Sequence, residues 1–157
     1  EIHETLGELY ELDGNYERAL DIFDRLLDIS DDKCHISTIL MMKGRVLQAQ
    51  SNYDGAIEVY ERGIGLAEDI DSTLLMAKIN GYLGKIYLRK GEYDKALDLQ
   101  RTYLNESQKA GEKREIGQAY MNLHGVFLHL NDNQMAVQNW VKSLSFFKDV
   151  GYHQGVA

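Results

Sequence analysis

Histidine and cysteine are the side chains here with the widest range of chemistry, because imidazole and thiol groups bind metals and act in catalysis. The sequence contains five histidines and one cysteine. His124 and His129 are five positions apart, so they do not share the helical face that a metal-binding pair needs. Cys34 and His35 are adjacent, but there is no second cysteine to complete a zinc site. We therefore predict neither a metal site nor a catalytic cysteine.

Acidic and glycine-containing segments also match no known site. Asp28, Asp31 and Asp32 are close in sequence, but they lack the glycine and the terminal glutamate of a calcium-binding loop. Gly63 and Gly65 form a G-x-G pattern without the third glycine or the preceding strand of a nucleotide-binding turn. The sequence therefore predicts no cofactor and no enzymatic activity.

Composition narrows the remaining classes of function. The chain has 157 residues, 44% of them hydrophobic, and a formal net charge of −8. Its negative charge disfavours binding to nucleic acid or to an anionic membrane surface. The apolar runs are short and no basic-then-apolar leader is visible, so we expect neither a membrane span nor a secretory signal. A single cysteine fits a reducing compartment, and we expect a cytoplasmic protein.

One pattern recurs along the whole chain at intervals of close to 40 residues. It is marked by alanines at Ala19, Ala56, Ala96 and Ala136. The residues twelve positions before these alanines are Gly7, Gly44, Gly84 and His124. A fixed period of this length predicts one structural unit that is repeated and stacked on its neighbours.

Each unit contains two amphipathic helices with a short break between them. In the third unit, Ile79, Leu83 and Ile86 follow helical spacing, and the following Arg89-Lys90-Gly91 is a helix-stop signal. The helical pattern restarts about two residues later, which requires an antiparallel pair. The predicted helices are 1–13, 15–30, 33–50, 52–69, 72–90, 92–110, 112–130 and 132–149, with a ninth beginning near Tyr152.

The breaks inside the helix pairs carry similar turn signals. Glycine at Gly14 and Gly91 and asparagine at Asn131 suit the left-handed conformation that ends a helix, whereas Ser51 predicts a less regular turn. The next residue in each case has a side-chain oxygen that can cap the following helix. These predicted caps are Asn15, Asn52, Glu92 and Asp132.

This pattern resembles the tetratricopeptide repeat family, in which small residues let paired helices approach and aromatic residues fill the space beside them. The matching residues are Gly7, Gly84, Tyr10, Tyr87, Ala19, Ala56, Ala96, Phe23 and Tyr60. The resemblance implies an all-α fold, an α-α superhelix of about four antiparallel helix pairs. The long period is similar to that of Pins-type adaptors, rapsyn and bacterial signalling proteins.

The same resemblance implies a domain organisation. We expect a single solenoid segment over 1–157, with repeats at about 1–31, 32–71, 72–111 and 112–150. Residues 151–157 would begin a truncated fifth repeat, so we expect the segment to come from a longer chain.

The fourth unit departs from the family pattern. His124 replaces the glycine of the first helix, and Trp140 stands where Phe23 and Tyr60 stand in earlier units. We predict that His124 packs inside the fold and that Trp140 is a core residue that packs against the following unit. With no complete following unit, apolar side chains of the last helix would be exposed, and we expect self-association through an end of the segment. These side chains are Val137, Trp140, Leu144 and Phe147.

The resemblance also implies a binding surface, because the first helix of each pair lines the concave groove in this family. We predict that cations in the groove receive acidic groups of a peptide, while methionines give adaptable apolar contact. The predicted partner-binding residues are Arg45, Lys78, Lys85, Arg89, Met41, Tyr82, Met121 and Asn122. The family's carboxylate clamp for chaperone tails is not predicted, because Glu4 and Glu8 occupy two of its positions.

Two functions remain open at this point. The first is a non-enzymatic scaffold that binds a peptide or a helix of another protein in the groove. The alternative is a sensory or regulatory segment of a larger bacterial signalling protein that carries a kinase, cyclase or ATPase domain. A phosphatase activity, as in some distantly related pheromone receptors, would need an acid–amide pair that the sequence does not reveal.

Overall fold

The computed structural model describes residues 14–149 and 151, and these residues form seven α-helices and no strand. The helices are α1 (Tyr16–Ile29), α2 (Lys33–Ala49), α3 (Tyr53–Glu68), α4 (Thr73–Arg89), α5 (Tyr93–Ala110), α6 (Lys113–His129) and α7 (Asn133–Asp149). Each begins and ends within about one residue of its predicted bounds, and the all-α prediction is confirmed. The predicted helices at 1–13 and from Tyr152 onward lie outside the described residues.

The helices repeat with the period of the sequence pattern. α3, α5 and α7 begin at Tyr53, Tyr93 and Asn133, which are equivalent positions of successive units. Short turns connect consecutive helices, so partners in a pair run antiparallel, and α2 packs on α3 as α6 packs on α7. The helical hairpin is therefore the repeating structural element.

A residue with a left-handed backbone closes the turn inside each hairpin. Ser51 has φ +61°, close to φ +79° at Gly91 and φ +59° at Asn131. The N–H of Ser51 donates to the Gln48 carbonyl at 3.0 Å, as Gly91 donates to Leu88 at 3.1 Å. The expectation of a less regular turn at Ser51 is therefore wrong. The turn's hydrogen bonds set the conformation here, although serine itself disfavours it.

Of the four predicted capping residues, two make the expected hydrogen bond. Asn52 and Asp132 each accept the backbone N–H three residues later, at 3.1 Å and 3.0 Å. The side chains of Asn15 and Glu92 make no capping hydrogen bond, so the prediction is wrong at these two positions. Glutamate is not among the preferred capping residues, and nothing in the structure explains Asn15.

Contacts divide the chain into two compact units, residues 1–79 and residues 80–157. The core of the first unit includes a cluster formed by Ala19, Phe23, Leu26, Ile39 and Val46. A Cβ built on Gly44 would lie within 3.0 Å of the Tyr60 ring, so this buried ring packs directly on the backbone of α2. Nearby, the Ser37 hydroxyl donates to the Gly63 carbonyl at 2.7 Å and ties α2 to α3.

The second unit has its own core, built from Leu123, Phe127 and Ala136 and covered by Leu97, Leu104, Tyr120 and Met135. The Gly81 backbone lies under the Tyr103 ring, since an added Cβ would be 2.8 Å from Cδ1 of Tyr103. The Ser143 hydroxyl donates to the Gly117 carbonyl at 2.9 Å and ties α7 to α6. Within each unit, therefore, helices contact one another closely at glycine.

Candidate functional site

In the first unit, the predicted partner-binding residues lie on α2 and α4. Met41 and Arg45 are four residues apart on α2, so they share one side of that helix. Lys78 lies on α4, and all three side chains are half-buried. Neither Arg45 nor Lys78 is a free cation, since both already interact within the protein. A ligand here would compete with, or add to, those interactions.

In the second unit, the predicted residues of α4 form a row. Tyr82, Lys85 and Arg89 are separated by three and four positions, so they lie along one side of the helix. The Lys85 ammonium is 5.1 Å from the centroid of the Tyr82 ring, a cation–π distance. Arg89 is exposed, whereas the other two side chains are half-buried. The tyrosine ring therefore positions one charge, and the second extends into solvent.

The other predicted residues of this unit, Met121 and Asn122, lie side by side on α6 and are half-buried. Asn122 is part of a polar network that the sequence reasoning did not find. Its Nδ2 donates to Oε1 of Gln100 at 3.0 Å, and its Oδ1 accepts from Nε2 of Gln118 at 2.9 Å. Nε2 of Gln100 in turn donates to the Gly81 carbonyl at 2.7 Å. The signal in the sequence that could have revealed this network is Gln100 itself, a glutamine at a position where the other units carry an aromatic residue.

A buried tyrosine joins α5 to α6 in the same unit. The Tyr103 hydroxyl donates a hydrogen bond to the Glu115 carboxylate. Burial, then the hydrogen bond to Glu115 and its charge, raises the pKa of Tyr103 well above its ordinary value. Tyr103 therefore remains a neutral hydrogen-bond donor throughout the physiological pH range.

His124 belongs to the packing of the hairpin. Its Nδ1 lies 3.0 Å from the Ala136 carbonyl, and its ring centroid is 5.1 Å from that of Trp140. The more distant His129 stacks on Tyr93 with ring centroids 5.5 Å apart. In the described part of the chain, no group of three or more His, Cys, Asp or Glu side chains is placed to hold a metal ion.

Trp140 is partly exposed, as we expected for the apolar side chains of the last helix. Trp140 is 38% exposed, whereas the equivalent Tyr60 is fully buried. Tyr60 occupies the space that the absent side chain of Gly44 leaves, but the imidazole of His124 fills the corresponding space beside Trp140.

The exposed tryptophan has apolar neighbours on α7. Val137 and Val141 are 60% and 58% exposed and lie within one helical turn of Trp140. We call these three side chains the α7 apolar face. None of the helices in the described part of the chain has the length and apolar content that crossing a membrane requires.

Comparison with known proteins shows which sequences and structures are similar. A family model described as tetratricopeptide repeat matches residues 1–69 and, in a second placement, residues 35–109. Among curated proteins, none matches this sequence significantly.

Several solved structures share the fold. BtubC from P. vanneervenii is 18% identical with a TM-score of 0.78, over 99% of this chain and 66% of its own. Aspartyl phosphate phosphatase F from Bacillus subtilis is 13% identical with a TM-score of 0.81, over 95% and 40%. The repeats of a putative kinesin light chain from Podosopora anserina are 14% identical with a TM-score of 0.73, over 94% and 74%. Our chain thus spans 66% and 40% of the first two proteins, and at these identities the similarity shows the fold alone.

Proposed function

Because this chain belongs to the tetratricopeptide repeat family, we propose that it is a non-enzymatic scaffold that binds a peptide or a helix of another protein in a groove. The cations, amide and methionines of the candidate site lie on α2, α4 and α6, each the first helix of a predicted repeat. Side chains of this kind recognise a polypeptide through many modest contacts rather than through one reactive group.

The observation that carries the proposal is the α4 row of the second unit, Tyr82, Lys85 and Arg89. Two positive charges and an aromatic ring lie along one side of a helix in a protein whose net charge is −8. A local row of cations on an acidic protein attracts a partner with acidic groups and orients it during encounter. Met121 and Asn122 of α6 add an apolar and an amide contact. In the first unit, Met41 adds an apolar contact, and Arg45 and Lys78 add positive charge.

Binding of displayed peptides tests the proposal. Random peptides selected on the purified protein should be enriched in aspartate and glutamate. The double variant Lys85→Ala/Arg89→Ala should weaken the best of them by more than about tenfold, the effect of losing two charge-assisted contacts. Isothermal titration calorimetry at two salt concentrations measures the loss, and the native protein should show the steeper salt dependence.

A matched control removes the same charge elsewhere in the second unit. Arg101 and Lys109 are exposed cations on α5, and the double variant Arg101→Ala/Lys109→Ala should bind the selected peptide with nearly native affinity. Equal losses of affinity in both double variants would show that the net charge of the protein, and not the α4 row, attracts the peptide. An unchanged affinity in Lys85→Ala/Arg89→Ala would remove the α4 row from the binding surface.

We propose in addition that the α7 apolar face, formed by Val137, Trp140 and Val141, allows the chain to self-associate. A second copy can cover this face by packing helix against helix, which removes exposed apolar surface from water. Light scattering should show a mass above that of the monomer, and Val137→Lys/Val141→Lys should restore the monomer. Ile29→Lys, at another exposed apolar position, is the control. A native protein that stays monomeric at high concentration contradicts the proposal.

The alternative proposal is a regulatory segment in a larger bacterial signalling protein, where ligand binding would alter an attached catalytic domain. In that case a change in the hairpins on ligand binding would be passed on to the catalytic domain, in addition to holding the ligand. The sequence of the parent gene separates the two functions, because a fused kinase, cyclase or ATPase domain favours regulation. For either function we propose a cytoplasmic location, since the exposed thiol of Cys34 persists best in a reducing compartment.

A further inference from the structure

We propose that three side-chain amides of the second unit form a hydrogen-bonded chain with a single polarity, and that its outer end, Oε1 of Gln118, accepts a backbone N–H of the bound peptide. The inference rests on the proposed peptide-binding function and adds one named subsite to it. The amides belong to Gln100 on α5 and to Asn122 and Gln118 on α6. Their polarity decides whether the subsite takes a donor or an acceptor from the ligand.

The inner end of the chain is the backbone carbonyl of Gly81, which can only accept a hydrogen bond. Nε2 of Gln100 lies 2.7 Å from this oxygen, and Gln100 is 1% exposed. Turning the amide over would place its oxygen against the carbonyl oxygen of Gly81 at a buried site, and two acceptors cannot share a hydrogen bond. Gly84 leaves room for the amide, because a Cβ there would clash with Nε2 of Gln100. The fold therefore fixes the orientation of Gln100.

The orientations of the other two amides follow from that of Gln100. Since Nε2 of Gln100 points to Gly81, its Oε1 faces Asn122, whose Nδ2 donates to it at 3.0 Å. Oδ1 of Asn122 then accepts from Nε2 of Gln118 at 2.9 Å. Each amide directs its NH₂ group inward and its oxygen outward, so each hydrogen bond polarises the next. Neither Asn122 nor Gln118 can turn over without breaking this chain.

The chain ends on the half-buried side chain of Gln118, and no described residue donates to its Oε1. A carbonyl oxygen takes a hydrogen-bond donor from the ligand. Among the donors of a peptide ligand, the backbone N–H is neutral and occurs along the whole length of the chain. Every peptide residue except proline carries one. The subsite therefore recognises the peptide backbone, while the α4 row recognises acidic side chains.

Amide-to-ester scanning of a selected peptide tests the subsite. Each backbone amide of the best displayed peptide is replaced in turn by an ester, which removes one N–H. One ester should weaken binding roughly fivefold, the effect of one neutral hydrogen bond, and Gln118→Met should weaken the unmodified peptide by a similar factor. The two losses should not add when combined, because both changes remove the same bond. Gln138→Met, at an exposed position of α7, is the matched control and should leave affinity unchanged.

A second measurement follows the polarity of the chain without a ligand. The side-chain amide hydrogens of Asn122 should exchange slowly in NMR spectra of the native protein and faster in Gln100→Met, which removes their acceptor. Circular dichroism shows whether Gln100→Met is folded. If it is not, the coupling between Gln118→Met and the ester peptides decides whether the subsite exists. If peptides bind but no ester couples to Gln118→Met, the subsite is wrong while the binding function stands. If no displayed peptide binds, the function fails and the subsite fails with it.

Discussion

The hairpins α2–α3 and α6–α7 have equivalent helices but opposite outcomes at one packed pair. In the first hairpin, the ring of Tyr60 is fully buried against Gly44. In the second, Trp140 lies beside His124 with ring centroids 5.1 Å apart and stays 38% exposed. The two hairpins therefore differ at this pair, with a glycine under a buried ring in the first and a histidine beside a partly exposed ring in the second.

A second pair in the same two hairpins shows what stays constant. Ser37 on α2 donates to the Gly63 carbonyl on α3, at 2.7 Å. In the other hairpin the roles are exchanged, since Ser143 on α7 donates to the Gly117 carbonyl on α6, at 2.9 Å. One glycine and one serine suffice in either arrangement, because the contact needs one bare backbone and one short donor.

Filling the small position should break the first hairpin, and this is the largest expected effect. Gly44→Ala places a methyl group against the Tyr60 ring and should lower the free energy of unfolding by about 3 kcal/mol, through overpacking. Gly65→Ala is the control, since the space around Gly65 is open and the same substitution should stabilise α3 by about 0.5–1 kcal/mol. Urea unfolding measures both, and a Gly44→Ala variant as stable as the native protein would contradict the packing.

Removing the two serine hydroxyls should sharpen the second comparison. Ser37→Ala and Ser143→Ala each delete one buried hydrogen bond and should each cost about 1 kcal/mol. Similar losses would show that the exchanged arrangements are equivalent in energy. Ser145→Ala, at an exposed position of α7, should change the unfolding midpoint little. A loss confined to one hairpin would show that the two contacts differ.

A tyrosine ring packs on a glycine in both units, and in the second unit this tyrosine, Tyr103, makes the stability depend on pH. Because the pKa of Tyr103 is raised, the unfolded chain ionises first, so this residue's stabilisation is complete below about pH 10 and falls above it. The native protein should lose stability by up to about 1.4 kcal/mol per pH unit there. Tyr103→Phe keeps the ring and should show a shallower decline. Parallel curves for the two proteins would contradict the shifted pKa.

A glycine at position 124 should let the second hairpin bury its aromatic ring as the first hairpin does. His124→Gly opens the space beside Trp140, and burial of the indole should then offset the roughly 1 kcal/mol that glycine costs inside a helix. Trp140 is the single tryptophan of the chain, so its fluorescence reports this ring alone and should shift to shorter wavelength. His129→Gly, farther from the tryptophan, is the control. An unchanged emission maximum would show that His124 does not hold Trp140 outward.

Much of the candidate site could be placed from the sequence, because helical spacing assigns residues to faces. Tyr82, Lys85 and Arg89 lie along one side of α4, as their spacing indicates. The polar network around Asn122 could not be predicted, since its partner Gln100 is on another helix and the distance depends on how the helices pack. Spacing predicts which side of a helix a residue occupies, but not which atom of a neighbouring helix it meets.

The amino-acid sequence alone determined where helices begin and end, because caps, left-handed turns and amphipathic spacing act over a few neighbouring residues. Even at Ser51, where residue preference misled, the turn is at the predicted place. Only the tertiary structure decided that the amides of Gln100, Asn122 and Gln118 point one way and that Tyr60 packs on the backbone at Gly44. Those outcomes depend on the volume and hydrogen-bonding partners that one helix offers to the next, and these exist only once the helices have packed.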